Sequence, residues 1–212
     1  MKNNYSKVFM WMFIGLLVTF ATGYFVSTNE RMLISIFSSS IYFFLIIAEL
    51  VVVIFLSARL HKMSETTAKI SFILYSFLTG LTFSSVFVVY QITSILYVFL
   101  VSALLFGIFA VIGATTKIDL SKLGTILLML LVGIIICTII NLFIGSQGFN
   151  LVLCIIGLVV FMIYVAYDMQ KIKQLENIYE GDKLAIIGAL ELYLDFINIF
   201  LRLLQLFGRS RD

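Results

Sequence analysis

Leu184-Ala-Ile-Ile-Gly-Ala-Leu-Glu191-Leu-Tyr-Leu-Asp195-Phe-Ile-Asn198-Ile-Phe-Leu-Arg202-Leu-Leu-Gln205-Leu-Phe207 is the stretch on which the fold turns. Its polar residues, Glu191, Asp195, Asn198, Arg202 and Gln205, recur at spacings of 4, 3, 4 and 3. On a helix they form one stripe, with Leu, Ile and Phe around the remainder. The segment exceeds the roughly 20 residues that cross a bilayer core. Its polar side cannot face lipid, and its apolar remainder is broad. A central helix wrapped by other helices satisfies both demands.

Six further apolar runs supply those helices: 8–26, 35–58, 70–90, 95–114, 123–144 and 151–167, with 184–207 as the seventh. The connections between them are too short for a soluble domain. A single polytopic membrane domain over residues 1–212 is expected, all-α because an open strand in lipid leaves backbone groups unpaired. Composition agrees: 62% of residues are hydrophobic and 12% charged, against about 45–50% and about 25% in soluble domains. Mean hydropathy is +1.16. These values exclude an ordinary soluble enzyme, a disordered chain and a nucleic-acid binder. The first run is long for a signal peptide and no small-residue cleavage pattern follows it, so it reads as a retained span. Small residues at i, i+4 and i+8 (Gly15, Thr19, Gly23 and Ser76, Gly80, Ser84) let two helix backbones approach closely.

Cations set the expected orientation. Lys2, Lys7, Arg59, Lys62, Lys69, Lys117, Lys122, Lys171, Lys173 and Lys183 fall on one side if the first six runs cross. Arg31 alone falls in the opposite loops. The N-terminus is therefore expected in the cytoplasm, with the protein in the cell membrane. Arg209 and Arg211 pull the C-terminus to the same side, whereas the length of 184–207 favours crossing. Crossing is the expectation, because no turn signal interrupts that segment.

Ionisable groups at membrane depth cost at least about 2.5–3.5 kcal/mol each and mark function by default. Those at issue are Glu49, Arg59, Asp168, Glu191, Asp195 and Arg202. One reading is a structural network in which Arg202 neutralises Asp195 and Asn198 helps hold it. The other is a cation or proton route lined by Glu49, Glu191, Asn198 and Arg202 with Asp168 and Asp195, favoured by four acids against two bases. Neighbouring carboxylates in a poorly solvated site repel and titrate jointly. They are also oxygen ligands of the kind Ca²⁺ takes, though Ca²⁺ prefers six to eight; a weak transit site fits better than a tight one. Spacing alone does not join Asp168 to Asp195. Asp195 lies twelve residues past Lys183, about 18 Å along a helix. The two meet if the sixth helix runs past Asp168, and Met169, Ile172, Leu175 and Ile178 continue its apolar spacing. No tightly bound cofactor is expected. Cys137 and Cys154 sit inside apolar runs and read as small buried hydrophobes, and His61 is the only histidine.

The run from Ala189 to Gly208 closely resembles the C-terminal signature of the Bax inhibitor-1 family, also called the transmembrane Bax inhibitor motif family. Tyr167-Asp168 with Ile172-Lys173, Glu49 within Ile47-Ala-Glu-Leu, and Gly113 before the 117–122 loop resemble it too. The resemblance implies seven helices, six in two three-helix layers around a central C-terminal helix. It implies a pH-sensitive calcium leak, with two proton-sharing aspartates that match Asp168 and Asp195. It also implies a latch arginine at the end of the second helix. That position is Leu60 here; Arg59, turned about 100° away, is the latch candidate. Some members are implied to act in stress protection with membrane proteases.

The leading expectation is therefore a passive, pH-modulated Ca²⁺ leak channel in contact with lipid, Ca²⁺ and protons. The alternative is a non-transporting membrane regulator that binds a partner such as a membrane protease. Proton-coupled transport is less favoured, because no internal repeat is visible. Enzymatic activity is not expected. No nucleophile–base constellation is present, and the Gly-x-Gly-Asp pattern of an intramembrane aspartyl protease is missing.

Overall fold

The computed structural model describes residues 2–37, 41–179 and 181–211, with side chains from Tyr5 onward. Eight α-helices are formed among them: α1 Lys2–Thr28, α2 Glu30–Phe37, α3 Ile41–Arg59, α4 Glu65–Val89, α5 Ile92–Thr115, α6 Leu123–Ile144, α7 Gln147–Leu175 and α8 Gly181–Phe207. A 3-10 turn, Leu60–Lys62, follows α3. All but α2 are long and apolar enough to cross a membrane. The protein is an all-α, multi-pass membrane protein. Its exposed apolar side chains, such as Phe43, Phe44, Leu104 and Phe143, suit a lipid solvent.

Local chemistry sets the ends. Ser64 accepts the Thr67 N–H at 3.2 Å and starts α4. Ser146 accepts the Phe149 N–H at 3.3 Å and starts α7. Gly145 ends α6 at φ +67°, a left-handed conformation that costs glycine no steric penalty.

The chain divides into two compact units. The first contains α1, α2, α3, α4 and α8 up to Tyr193, with the last residues of the chain. Here the two small-residue stripes meet. Gly15 lies against Phe72 and Ser76, Gly23 against the Gly80 carbonyl, and Gly80 against Thr19 and Thr22. Phe72 and Tyr75 pack edge-on against Tyr193 at 5.7 and 6.1 Å. Asp182, in the first turn of α8, takes Lys7 of α1 at 3.0 Å and Lys69 of α4. At the far end of α4, Tyr90 bridges Ser210, and the Arg211 N–H donates to the Val89 carbonyl at 2.8 Å. The start of α8 and the tail that follows it are thus tied to opposite ends of α4. The segment is one unbroken helix, long and apolar enough to cross a membrane.

The second unit contains α5, α6, α7 and α8 from Leu194. A Cβ on Gly113 would lie 2.6 Å from the Ala166 Cα, so α5 and α7 touch backbone to backbone. Leu127 and Ile134 of α6 bury against Val160 of α7. Phe99 and Phe106 of α5 pack on Phe196 of α8. Gln170 holds the α5–α6 connection, accepting from the Leu120 N–H at 2.7 Å and donating to the Ile118 carbonyl at 2.9 Å.

Element boundaries differ from the sequence reading in three places. The first helix begins at Lys2 and not at residue 8. Ser35–Phe37, expected at the start of the second span, belong to α2, and α3 is described from Ile41. Asn29 separates α2 from α1 by accepting the Met32 N–H at 3.2 Å, the local competition that makes Asn a breaker and a cap. The expected residues 38–40 of that span lie outside the described residues. The sixth helix runs on to Leu175, past residue 167, as the apolar spacing after Asp168 predicts.

Candidate functional site

Asp168 and Asp195 are the buried acids of the second unit, 6% and 4% exposed. The first is carried by α7 and the second by α8. The seven-residue extension of α7 beyond Asp168 keeps that carboxylate within a regular helix and does not leave it at a frayed end. Tyr164, one turn before Asp168, lies within electrostatic range of both carboxylates. Tyr167 and the cation Lys171 act on the same Tyr164 hydroxyl, while Val165, Ala166, Met169 and Ile172 on α7 and Phe196 and Ile199 on α8 are buried.

The rest of the stripe on α8 is placed as follows. Glu191 and Asn198 are half-buried. The Asn198 amide donates back to the Leu194 carbonyl at 2.8 Å, so its helix partly satisfies it. Arg202 lies along Gly157 of α7, where a side chain would collide with its guanidinium stem. Its head reaches Gln205 at 3.4 Å, and its carbonyl accepts the Cys154 thiol at 3.2 Å. Cys154 is buried, Cys137 is half-buried, and both thiols are free. Outside the spans, Asp119 accepts the Ser121 N–H at 2.9 Å. That bond holds its carboxyl below the ordinary aspartate range, so this loop acid stays ionised through neutral pH.

Glu49 and Arg59 belong to the first unit. Glu49, half-buried on α3, accepts the Thr82 hydroxyl at 2.8 Å. Arg59 is exposed at the end of α3, its guanidinium 6.0 Å from the Phe55 ring centre. Leu60, the position matching the latch, is 2% exposed and opens the 3-10 turn. No group of three or more His, Cys, Asp and Glu that could hold a metal is assembled among the described residues.

A buried polar cluster in the first unit escapes the sequence reading. The Thr19 hydroxyl meets the Tyr193 hydroxyl at 2.6 Å and donates to the Ser76 carbonyl at 2.9 Å. All three residues are at most 1% exposed. The signal was present but ambiguous: Thr19 and Ser76 lie in the small-residue stripes and Tyr193 lies between Glu191 and Asp195. None of them is charged, so a search for ionisable groups passes them by.

Over residues 1–212 the sequence matches the family described as "Inhibitor of apoptosis-promoting Bax1". It is 41% identical to the inner membrane protein YbhL of Escherichia coli (strain K12), across 97% of this chain and 91% of that protein. It is 40% identical to a protein of Borreliella burgdorferi, across 100% and 94% of the two chains. It is 36% identical to a protein of Deinococcus radiodurans, across 98% and 90%.

Proposed function

The chain belongs to the Bax inhibitor-1 family of membrane proteins, and from that premise we propose that it is a pH-sensitive calcium leak channel of the cell membrane. The observation that carries the reading is the burial of Asp168 and Asp195 in one unit, both within range of Tyr164. Two poorly solvated carboxylates cannot both ionise cheaply, so they share a proton. Losing that proton sets two negative charges against each other and pushes α7 from α8. Adding a second breaks the shared hydrogen bond. Either change can move a gate. Ca²⁺ passes such a pair as a weakly held transit ion, because two carboxylates offer too few oxygens for a tight cage. Glu49, Glu191, Asn198 and Arg202 are proposed to line the route, with Arg59 as the latch candidate.

The test is flux into liposomes loaded with a calcium dye. Asp195→Asn keeps the shape and removes the titration. It should insert normally yet carry a flux that no longer varies between roughly pH 5 and 8, a range displaced upward from the unperturbed aspartate value of about 3.9. Asp168→Asn should do the same, and the double variant should add nothing, because the two act as one unit. A normal pH profile in both single variants would move suspicion to Glu49 and Glu191. No calcium flux from the wild type at any pH would end the leak reading in favour of a partner-binding regulator.

A further inference from the structure

A groove of about 600 Å³ opens in the first unit between α1, α2 and α4. Ala21 and Phe25 of α1, Met32 and Ile36 of α2, and Phe77 and Leu81 of α4 give it apolar walls. Among the described residues, its single charged lining residue is Arg31. The neighbouring acid, Glu30, does not line it. Arg31 is exposed and stands just beyond the end of α1. That is headgroup level for a helix that crosses a bilayer. Ala21 lies seven residues before the end of α1, about 10 Å deeper into the hydrocarbon. The groove therefore runs from a cation at the interface into an apolar slot, and it opens where the solvent is lipid.

The geometry points to a binding site for one anionic phospholipid, its phosphate on Arg31 and an acyl chain in the groove. Guanidinium is the side chain best suited to a phosphate, which it meets with paired N–H donors. Anionic lipids are favoured over zwitterionic ones because the groove supplies a cation and no acid to receive a lipid ammonium. A water-soluble phosphate compound would leave the apolar walls uncovered. A lipid covers both parts at once. The short helix α2, whose described residues are none of them buried, is what brings Arg31 and the slot together.

Native mass spectrometry of the full chain in detergent, titrated with phosphatidylglycerol or phosphatidylethanolamine, tests the assignment. Wild-type protein should retain phosphatidylglycerol over phosphatidylethanolamine. Arg31→Gln should weaken phosphatidylglycerol binding about fivefold, the effect of one interfacial cation, and Arg31→Lys, which keeps the charge but loses the paired donors, should fall between the two. Ala21→Trp, which fills the slot, should displace both lipids. Melting in lipid-free detergent should be unchanged for the Arg31 variants, separating lost binding from lost folding. Equal retention of the two lipids by the wild type, or undiminished phosphatidylglycerol binding in both Arg31→Gln and Ala21→Trp, would overturn the site. Full competition by glycerol phosphate would also overturn it, because a headgroup alone would then suffice.

Discussion

At Gly80 a side chain has no room. A Cβ there would lie 2.6 Å from the Thr22 Cβ and 2.9 Å from the Thr19 carbonyl oxygen. Gly133, on α6, meets nothing within 4 Å. Gly80→Leu should therefore force α1 and α4 apart, at an overpacking cost of about 1–3 kcal/mol. Gly133→Leu should be neutral or mildly stabilising, because Gly is the poorer helix former by up to about 1 kcal/mol. Thermal melting in detergent checks the pair, and equal midpoints would show that the stripes do not set the α1–α4 spacing. The stripes themselves were legible, since small residues four apart signal close helices. Their partner was not. Nothing in one sequence says that Gly15-Thr19-Gly23 meets Ser76-Gly80-Ser84. Nor does a stripe of small residues announce that Thr19 also reaches the Tyr193 hydroxyl.

Among the elements, α3 ends in a way that divides two adjacent residues by role. Arg59 is exposed over Phe55, whereas Leu60 is buried where the 3-10 turn begins. If Arg59 serves as the latch, Arg59→Ala should raise basal Ca²⁺ leak with an unchanged melting midpoint. Leu60→Ala should instead lose about 2–5 kcal/mol of stability, the cost of truncating a buried leucine. Equal small changes in flux from both variants would remove the latch. Helix ends also explain where sequence reasoning faltered. The apolar run 35–58 looked continuous because Ile34, Ile36 and Phe37 match the hydropathy of α3. What sets α2 off from α1 is Asn29, which accepts the Met32 N–H. The extension of α7 to Leu175 was legible, because its apolar period continues past Asp168 despite Lys171 and Lys173.

For the whole molecule, the open question in the sequence was the side of the C-terminus, where charge and length disagreed. Arg211 bears on that disagreement. Its N–H donates to the Val89 carbonyl and its guanidinium reaches the Phe87 carbonyl at 3.4 Å. Those carbonyls belong to the last turn of α4, which lacks intrahelical partners and carries negative dipole. This arginine has a local use and is poor evidence of topology. The tie of Asp182 to Lys7 and Lys69 at the other end of α4 puts the N-terminal helix start and the chain's tail at opposite ends of a span. With the N-terminus in the cytoplasm, a single cysteine added after Asp212, in a background lacking Cys137 and Cys154, should react with an impermeant thiol reagent on intact cells. Labelling only after permeabilisation would reverse that orientation.

The sharing of α8 between the two units has a consequence for biogenesis. Its first half is counted with α1 to α4 and its second with α5 to α7, and its residues are among the most deeply buried of the chain. Of the eight helices it is synthesised last, by a ribosome that delivers about 5–20 residues per second. Neither unit can close before α8 is made. Both must wait in the bilayer with an unfilled slot, and they are completed together by the same segment. Proteolysis by the membrane's quality-control machinery should therefore fall hardest on chains that stop before Asp182, however well their first six spans have inserted.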